Sequence, residues 1–414
     1  MTLWGWLLFA FALVTSIMLH EAGHMTCARK AGGKVTEFFV GFGPRIWSFR
    51  KGETEYGVKA IPAGGYVKIV GMTDLEPIAP EDEPRAFYKK PLGWRLLTLS
   101  AGSLVHFLIA LVLFMIIPVF WGQTSVPPVI GGTAPCLSQH AGACASGDPA
   151  APIAGSGLQA GDKILAVNGR PVKSWTDVTD AISKIEPGVD ANSVPVSTPV
   201  PLTFSYQRQG VTATSTPITP AIGNKSSDPK AVCKGLMVGI TPPARETKNL
   251  STPAAVGQGF SDWGSNFKAS VGGLVDIPKS IPKLFQKQQT ANGSSCAGAP
   301  VTDRPVGVIG MGNLTGDLIK SDGYASFLNF VANINVFIGI FNLLPLLPLD
   351  GGHIAIALYE AARRKIAVLR GRPDPGRVDL NKLMPAAFTF LVLFVGLSLL
   401  LMAADITNPL KFPS

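Results

Sequence analysis

Leu3 to His24 reads LWGWLLFAFALVTSIMLHEAGH, in which seventeen uncharged residues run straight into His20, Glu21 and His24. A helix needs roughly 17–25 predominantly apolar residues to cross a bilayer, so Leu3 to Leu19 qualifies as a span. The stretch has neither a basic leading region nor a small-residue cleavage site, which argues against a secretory signal peptide. At the usual helical rise, His20 lies roughly 26 Å along the span, near its far end. His20-Glu21-Ala22-Gly23-His24 is an HExxH sequence. Residues four apart share a helical face, so both imidazoles can reach one metal ion while Glu21 addresses a water on it. A glutamate at bilayer depth costs at least about 2.5–3.5 kcal/mol on insertion scales, which calls for a partner or a function.

The rest of the chain agrees with a membrane setting. Of its 414 residues, 47% are hydrophobic and only 15% charged, where soluble domains carry about 25% charged residues. Three further windows can span: Leu96 to Trp121, Tyr324 to Leu349 and Met384 to Ala404. Twelve Lys/Arg lie between Arg29 and Arg95, and seven more follow the third window: Arg363, Arg364, Lys365, Arg370, Arg372, Arg377 and Lys382. By the positive-inside rule both segments are cytoplasmic, which places both termini and residues 122–323 outside. The net charge of +9 therefore marks topology and gives no reason to expect a nucleic-acid partner.

That orientation separates the cysteines. Cys136, Cys144, Cys233 and Cys296 fall on the outer side, where disulfides persist, and Cys27 falls on the reducing side. Four cysteines allow three pairings, of which Cys136–Cys144 with Cys233–Cys296 is the favoured one.

Within the outer region, residues 157–178 read GLQAGDKILAVNGRPVKSWTDV. Lys163 to Asn168 alternates as a strand, Asn168-Gly169 is a tight-turn signal, and Trp175 to Ile182 reads as a short helix. Over residues 126–243 this resembles a PDZ domain of the bacterial protease-associated type, which implies capture of a peptide or of a substrate ectodomain. The insert from Ala134 to Pro149 departs from that pattern. Further on, Phe260, Trp263, Phe267, Val271, Leu274 and Ile277 recur at near-helical spacing. Such a stripe either lies on the outer membrane surface or packs against its own protein.

A second intramembrane carboxylate stands in Asn342-Leu343-Leu344-Pro345-Leu346-Leu347-Pro348-Leu349-Asp350-Gly351-Gly352. Pro345 and Pro348 each remove a helical donor, so the third span cannot continue as a regular helix. Broken backbone at that depth is tolerated only where it is buried or lines a wet cavity. The glycine pair permits the re-entry that would bring Asp350 toward His20 and His24. Two histidines and one carboxylate leave the fourth tetrahedral position of Zn2+ for water, whose pKa then falls to about 7. Glu21 would take that water's proton and pass it to the leaving amine.

Taken together, the HExxH in the first span, the PDZ-like outer region and the NxxP…LDGG run resemble the site-2 protease family of intramembrane zinc metalloproteases. The nearest type is the bacterial regulator-of-sigma protease. Its actinobacterial branch is suggested by NLLPLLPLDGGHIA and by RGRPDPGRVDLNKLMP from Arg370 to Pro385. The resemblance implies that His20, His24 and Asp350 ligate one Zn2+ and that Glu21 is the general base. It implies as substrates single-pass transmembrane proteins such as anti-sigma factors, already shortened outside by another protease, with the PDZ domain as a size filter. Gly41 to Pro44, the alternation from Ile46 to Tyr56, and Gly64 to Lys68 resemble the family's membrane-dipping β-hairpin, with Gly65 and Tyr66 offering strand contacts to substrate. Asn342 is the candidate for holding the substrate backbone or transition state. Where relatives often have AGPxxNF, this chain has Ala101-Gly102-Ser103-Leu104-Val105-His106-Phe107, so Ser103 and His106 are departures.

The expected architecture is thus a multi-pass α-helical plasma-membrane protein with four transmembrane helices, a membrane-associated β-hairpin and an inserted extracytoplasmic α+β PDZ domain. Its segments are 1–25 with HExxH, 26–94 with the hairpin, the second span 95–121, the PDZ domain 126–243 and an outer helix and loop 244–323. A third span 324–353, a cytoplasmic basic segment 354–383 and the fourth span 384–404 follow. Two alternatives are an inactive PDZ-bearing scaffold and a metal or ion transporter. The four spans lack the inverted repeat of many transporters.

Overall fold

A computed structural model describes residues 3–72, 77–137, 148–183, 201–224, 234–280 and 306–407. Cys144, Cys233 and Cys296 lie outside these residues, while Cys136 is disulfide-bonded and Cys27 is a free thiol. The chain divides into two compact units, one of residues 1–120, 251–285 and 304–410 and the other of residues 121–250 with two short segments.

The first unit is helical. Its helices are α1 (Leu3–Lys30), α2 (Leu92–Phe120), α4 (Thr252–Ser280), α5 (Val308–Asn342), α6 (Asp350–Leu369) and α7 (Met384–Thr407); α3 belongs to the second unit. Four stretches are long and apolar enough to cross a membrane: α1, α2, the Gly323–Asn342 part of α5, and α7. Their outer faces carry exposed Phe11, Leu108, Phe388 and Leu393. In lipid such residues cost nothing, whereas each backbone polar group needs the internal bonding that a helix supplies. Helix α1 runs on six residues past His24, so the HExxH lies inside regular helix and its residues share faces as the spacing requires.

Small residues set the α1–α2 crossing. A Cβ on Gly23 would lie 2.9 Å from the Ala101 carbonyl oxygen and from Val105 Cγ2. Close backbone approach through small residues is how helices associate without a hydrophobic drive between them. The apolar stripe of α4 packs on its own unit: Trp263 and Phe267 meet Phe107 edge-on at 5.8 and 5.9 Å. They join Ala110, Phe114, Ala332, Val336 and Ile340 from α2 and α5 in one cluster.

Two departures from the expected boundaries matter for the site. Helix α5 starts at Val308 and bends at Gly323, whose φ of 76° is non-helical; its first turn receives Asp405 of α7, whose Oδ2 accepts the Gly310 N–H at 2.8 Å. It ends at Asn342, three residues before Pro345. The expected basic segment after Asp350 begins with a twenty-residue helix, α6, whose first residue is Asp350 itself. Between α5 and α6, residues 343–349 form consecutive tight turns (Leu346 N–H to Leu344 O, 2.7 Å; Leu349 N–H to Leu346 O, 2.8 Å). A Cβ on Gly351 would lie 2.2 Å from the Leu343 carbonyl oxygen, and one on Gly352 2.8 Å from that of Leu346. The glycine pair is therefore what lets this loop fold onto the start of α6. Arg95 of α2 pairs with Glu360 of α6 at 2.8 Å, both largely buried, and Glu360 also accepts the Val378 N–H.

The hairpin consists of β1 (Val35–Lys51) and β2 (Thr54–Ile69). Val35 to Val40 pairs antiparallel with Gly65 to Ile69, and a second match sets Glu37 to Val40 beside Glu55 to Val58. The ribbon doubles back where Gly41, Gly43 and Gly64 take positive φ. Gly41 is required twice over, since a Cβ there would also lie 2.6 Å from the Ile61 carbonyl oxygen.

The second unit holds one helix, α3 (Trp175–Ser183), and ten short strands among the described residues. Strands β5 (Lys163–Val167), β6 (Arg170–Pro171), β7 (Phe204–Arg208) and β8 (Val211–Thr214) form an antiparallel sheet in the order β6-β5-β7-β8. Asn168 and Gly169 both have positive φ, as a two-residue hairpin turn of the primed type demands. Smaller pairs join β4 (Gly132–Thr133) to β11 (Ile240–Thr241) and β9 (Ala221–Asn224) to β10 (Lys234–Met237). Strand β3 (Gln123–Ser125) pairs with β12 (Glu246–Lys248), so the unit begins and ends at one place. Ile164, Val167, Val178, Leu202, Phe204 and Ile218 are fully buried at its centre. Asp162, also buried, is held by Arg208 through two 2.7 Å bonds and by the Gln159 N–H.

Candidate active site

Three side chains from the two ends of the chain converge in the helical unit. His20 and His24 project from one face of α1, and their Nε2 atoms stand 3.0 Å apart. Asp350, at the first turn of α6, brings Oδ2 to 3.4 Å from His20 Nε2 and 3.3 Å from His24 Nε2. Both histidines are buried, and Asp350 is largely so.

The geometry tests whether a metal suits this group. Asp350 Oδ2 is buried with no hydrogen-bond partner among the described residues. A buried carboxylate oxygen left that way is expensive unless a cation completes its environment. Two imidazole nitrogens and one carboxylate oxygen are ligands that Zn2+ takes in its catalytic sites. His24 Nδ1 donates to the Thr98 carbonyl oxygen at 2.7 Å, which fixes the tautomer and leaves Nε2 free to ligate. The donor set fits zinc.

The His20 ring is placed by packing. A Cβ on Gly102 would lie 2.3 Å from its Cε1 and 2.5 Å from both ring nitrogens, so only glycine leaves room for the imidazole against α2. Next to it His106 is fully buried, with ring centroids 4.9 Å apart. His106 Nδ1 lies 2.8 Å from Asn335 Oδ1 and 3.1 Å from Ser16 Oγ, and Ser16 Oγ also donates to Asn335 Oδ1.

Glu21 is half-buried beside the hairpin. A Cβ on Gly65 would lie 2.7 Å from Met18 Sδ and 3.5 Å from Glu21 Cγ, so the glycine lets β2 rest on α1 beside this carboxylate. The backbone amide of Val67 also faces Glu21. Tyr66 is differently committed: its hydroxyl donates to Glu37 Oε2 at 2.5 Å, and its ring stacks on Phe39 with the Lys59 ammonium 4.8 Å away. Burial and the Glu37 carboxylate push the phenol above its ordinary pKa. Asn342 is the half-buried last residue of α5, outside the converging donors, as is His353.

Thr98, Gly102, Ser16 and Asn335 pack or bond around these imidazoles and His106, and none is among the site residues expected from the sequence. Their only signals are faint. Ser16 stands one turn before His20 on α1, and Gly102 interrupts an apolar helix.

Comparison with known proteins agrees with this geometry. Residues 8–373 match Peptidase family M50. The zinc metalloprotease Rip1 of Mycolicibacterium smegmatis is 36% identical over 426 aligned residues, covering 98% of each chain. Rip1 of Mycobacterium tuberculosis H37Rv is 34% identical over 414, again covering 98% of each. With its apolar helices and this breadth of likeness, the chain belongs to peptidase family M50, the site-2 proteases, and is a membrane zinc metalloprotease.

Proposed function

We propose that the chain cuts a transmembrane helix of single-pass membrane proteins such as anti-sigma factors, near the cytoplasmic end of that helix. The observation that carries this reading is the convergence of His20 Nε2, His24 Nε2 and Asp350 Oδ2 to within 3.0–3.4 Å of one another inside a bundle of apolar helices. These three residues hold a single zinc ion, which when bound polarises a carbonyl and acidifies water.

The rest of the chemistry falls to the chain's own groups. Glu21, next to His20, accepts a proton from the attacking water and returns it to the leaving amine. The Thr98 carbonyl keeps His24 oriented. Peptide bonds in a helix are internally hydrogen-bonded, so a substrate must unwind before it can be cut. The strand from Gly65 to Ile69 lies beside Glu21, and extended backbone can pair with a strand edge there. In that pose Gly65 gives close approach, Tyr66 shapes the strand through its ring, and Asn342 serves the substrate backbone from the end of α5. The positive-inside distribution supports a cytoplasmic hairpin and active site, with the second unit and its cysteines outside. That unit acts as a PDZ-type filter for the substrate ectodomain, and cleavage frees a cytoplasmic fragment.

Glu21→Gln tests the assignment. Proteolysis of a reconstituted single-pass substrate should fall at least about 100-fold, in the range for loss of a general base, with zinc content and thermal stability retained. Undiminished cleavage would refute it.

A further inference from the structure

Two metal-ligand histidines sit one helical turn apart on α1, yet they are held by different means. His24 is anchored through its second nitrogen to the Thr98 carbonyl. His20 Nδ1 is buried and has no hydrogen-bond partner among the described residues. The orientation of the His20 ring is therefore left to its walls, and both walls stand one turn apart on α2. One is the notch at Gly102, where even a methyl group would collide with the ring. The other is His106, whose ring lies 4.9 Å from that of His20, tilted by 44°.

A wall is useful only if it is itself fixed. His106 is joined to α5 and α1 at one atom: Nδ1 meets Asn335 Oδ1 at 2.8 Å and Ser16 Oγ at 3.1 Å. The Asn335 amide nitrogen donates to the Val331 carbonyl at 2.9 Å, so its Oδ1 is the end that faces the group. That oxygen can only accept, hence His106 carries its proton on Nδ1, and the Ser16 hydroxyl donates to the same oxygen. Ser16, His106 and Asn335 are 5%, 1% and 1% exposed, which keeps competing water away from all three. In apolar surroundings such a network is strong when every member is satisfied.

We propose that Ser16, His106 and Asn335 form a positioning triad for His20, locking α1, α2 and α5 together and fixing the plane in which the His20 imidazole presents Nε2 to zinc. None of the three touches substrate. The inference rests on His20 being a zinc ligand, and the experiment separates the two questions.

The full-length enzyme, purified in detergent, is dialysed against graded chelator and its zinc content measured, with cobalt-substituted enzyme reporting ligand geometry by its visible absorption. Loss of groups that orient ligands typically costs 10–100-fold in metal affinity. His106→Phe keeps a ring but loses the bond, and Asn335→Leu removes the acceptor. Each should weaken zinc binding by about tenfold or more and alter the cobalt spectrum. Asn335→Asp, which keeps an acceptor at that atom, should restore most of the affinity. The double variant His106→Phe/Asn335→Leu should lose no more than His106→Phe alone. Parent-like zinc affinity in folded His106→Phe and Asn335→Leu would overturn the triad, even if kcat fell. Should Asn335→Leu lack a cooperative thermal transition, Ser16→Ala and His106→Phe decide the question by the same readout. His20→Ala should lose zinc outright; if it held zinc, the ligand assignment itself would fail.

Discussion

Placing alanine at Gly102 tests how tightly the metal site is built. The new methyl carbon would stand 2.3 Å from His20 Cε1 and 2.5 Å from Nδ1 and Nε2. Non-bonded carbons settle near 3.5–4.0 Å, so the ring would have to retreat by about 1.2 Å or more. Metal–ligand distances tolerate about 0.2 Å, several times less than that retreat, and the neighbouring His106 ring limits the directions open to it. If the helices yield instead, overpacking costs about 1–3 kcal/mol, which corresponds to roughly 5- to 150-fold in metal affinity if it falls on the bound state alone. Gly102→Ala should therefore bind zinc at least about fivefold more weakly and lose proteolysis with it. The assay is zinc retention against chelator, read beside the thermal midpoint in the same detergent. Gly93→Ala is the control, since a Cβ there meets nothing within 4 Å on the same helix; it should behave as the parent. Parent-like zinc affinity in Gly102→Ala would refute the steric argument and the geometry from which it is drawn.

Gly351→Ala should abolish proteolysis, because its Cβ would fall 2.2 Å from the Leu343 carbonyl oxygen and push the loop off Asp350; normal activity and zinc content would contradict this. In the second unit, burial works against the Asp162 carboxylate, but Arg208 and the Gln159 amide outweigh it and hold its pKa below the usual range. A depressed folded-state pKa gives stability that is complete above about pH 3.9, the unfolded value, and fades as pH falls through the folded value. Arg208→Met should destabilise that unit at pH 7, and less as the pH falls below 4, read as thermal midpoints across pH. Asp405→Ala should lower the thermal midpoint of the helical unit by the equivalent of about 1–2 kcal/mol through loss of its bond to the first turn of α5, whereas Asp405→Asn should retain most of it.

What could be read in advance followed from local rules. The four spans came from apolar length, the shared face of His20 and His24 from helical period, and the turn at Asn168-Gly169 from its demand for positive φ. Pro345 and Pro348 announced that α5 would stop, and it stops at Asn342. The helix that begins at Asp350 was less visible, because the prolines before it and the basic run after it hid an ordinary helical stretch in Ile354 to Leu369. The stripe on α4 was readable as a stripe, but whether lipid or protein would cover it depended on Phe107, far away in sequence. Least legible were Ser16 and Asn335. What each does is defined by what it faces across a helix crossing, and no spacing within one helix encodes that.

The metal site joins α1 to α6, and that separation along the chain has a consequence in time. Synthesis runs at about 5–20 residues per second, so roughly 16–65 s pass between the emergence of His24 and that of Asp350. Through that interval the two histidines and Glu21 would sit without the proposed third ligand, while the hairpin and α2 emerge after them and well before Asp350. A two-histidine site binds divalent metals indiscriminately, with copper ahead of zinc. With His20, His24 and Asp350 as the proposed ligands, discrimination would begin only when the later part of the chain folds back to deliver one carboxylate. On that proposed ligand set, proteolysis would start only once Asp350 has arrived.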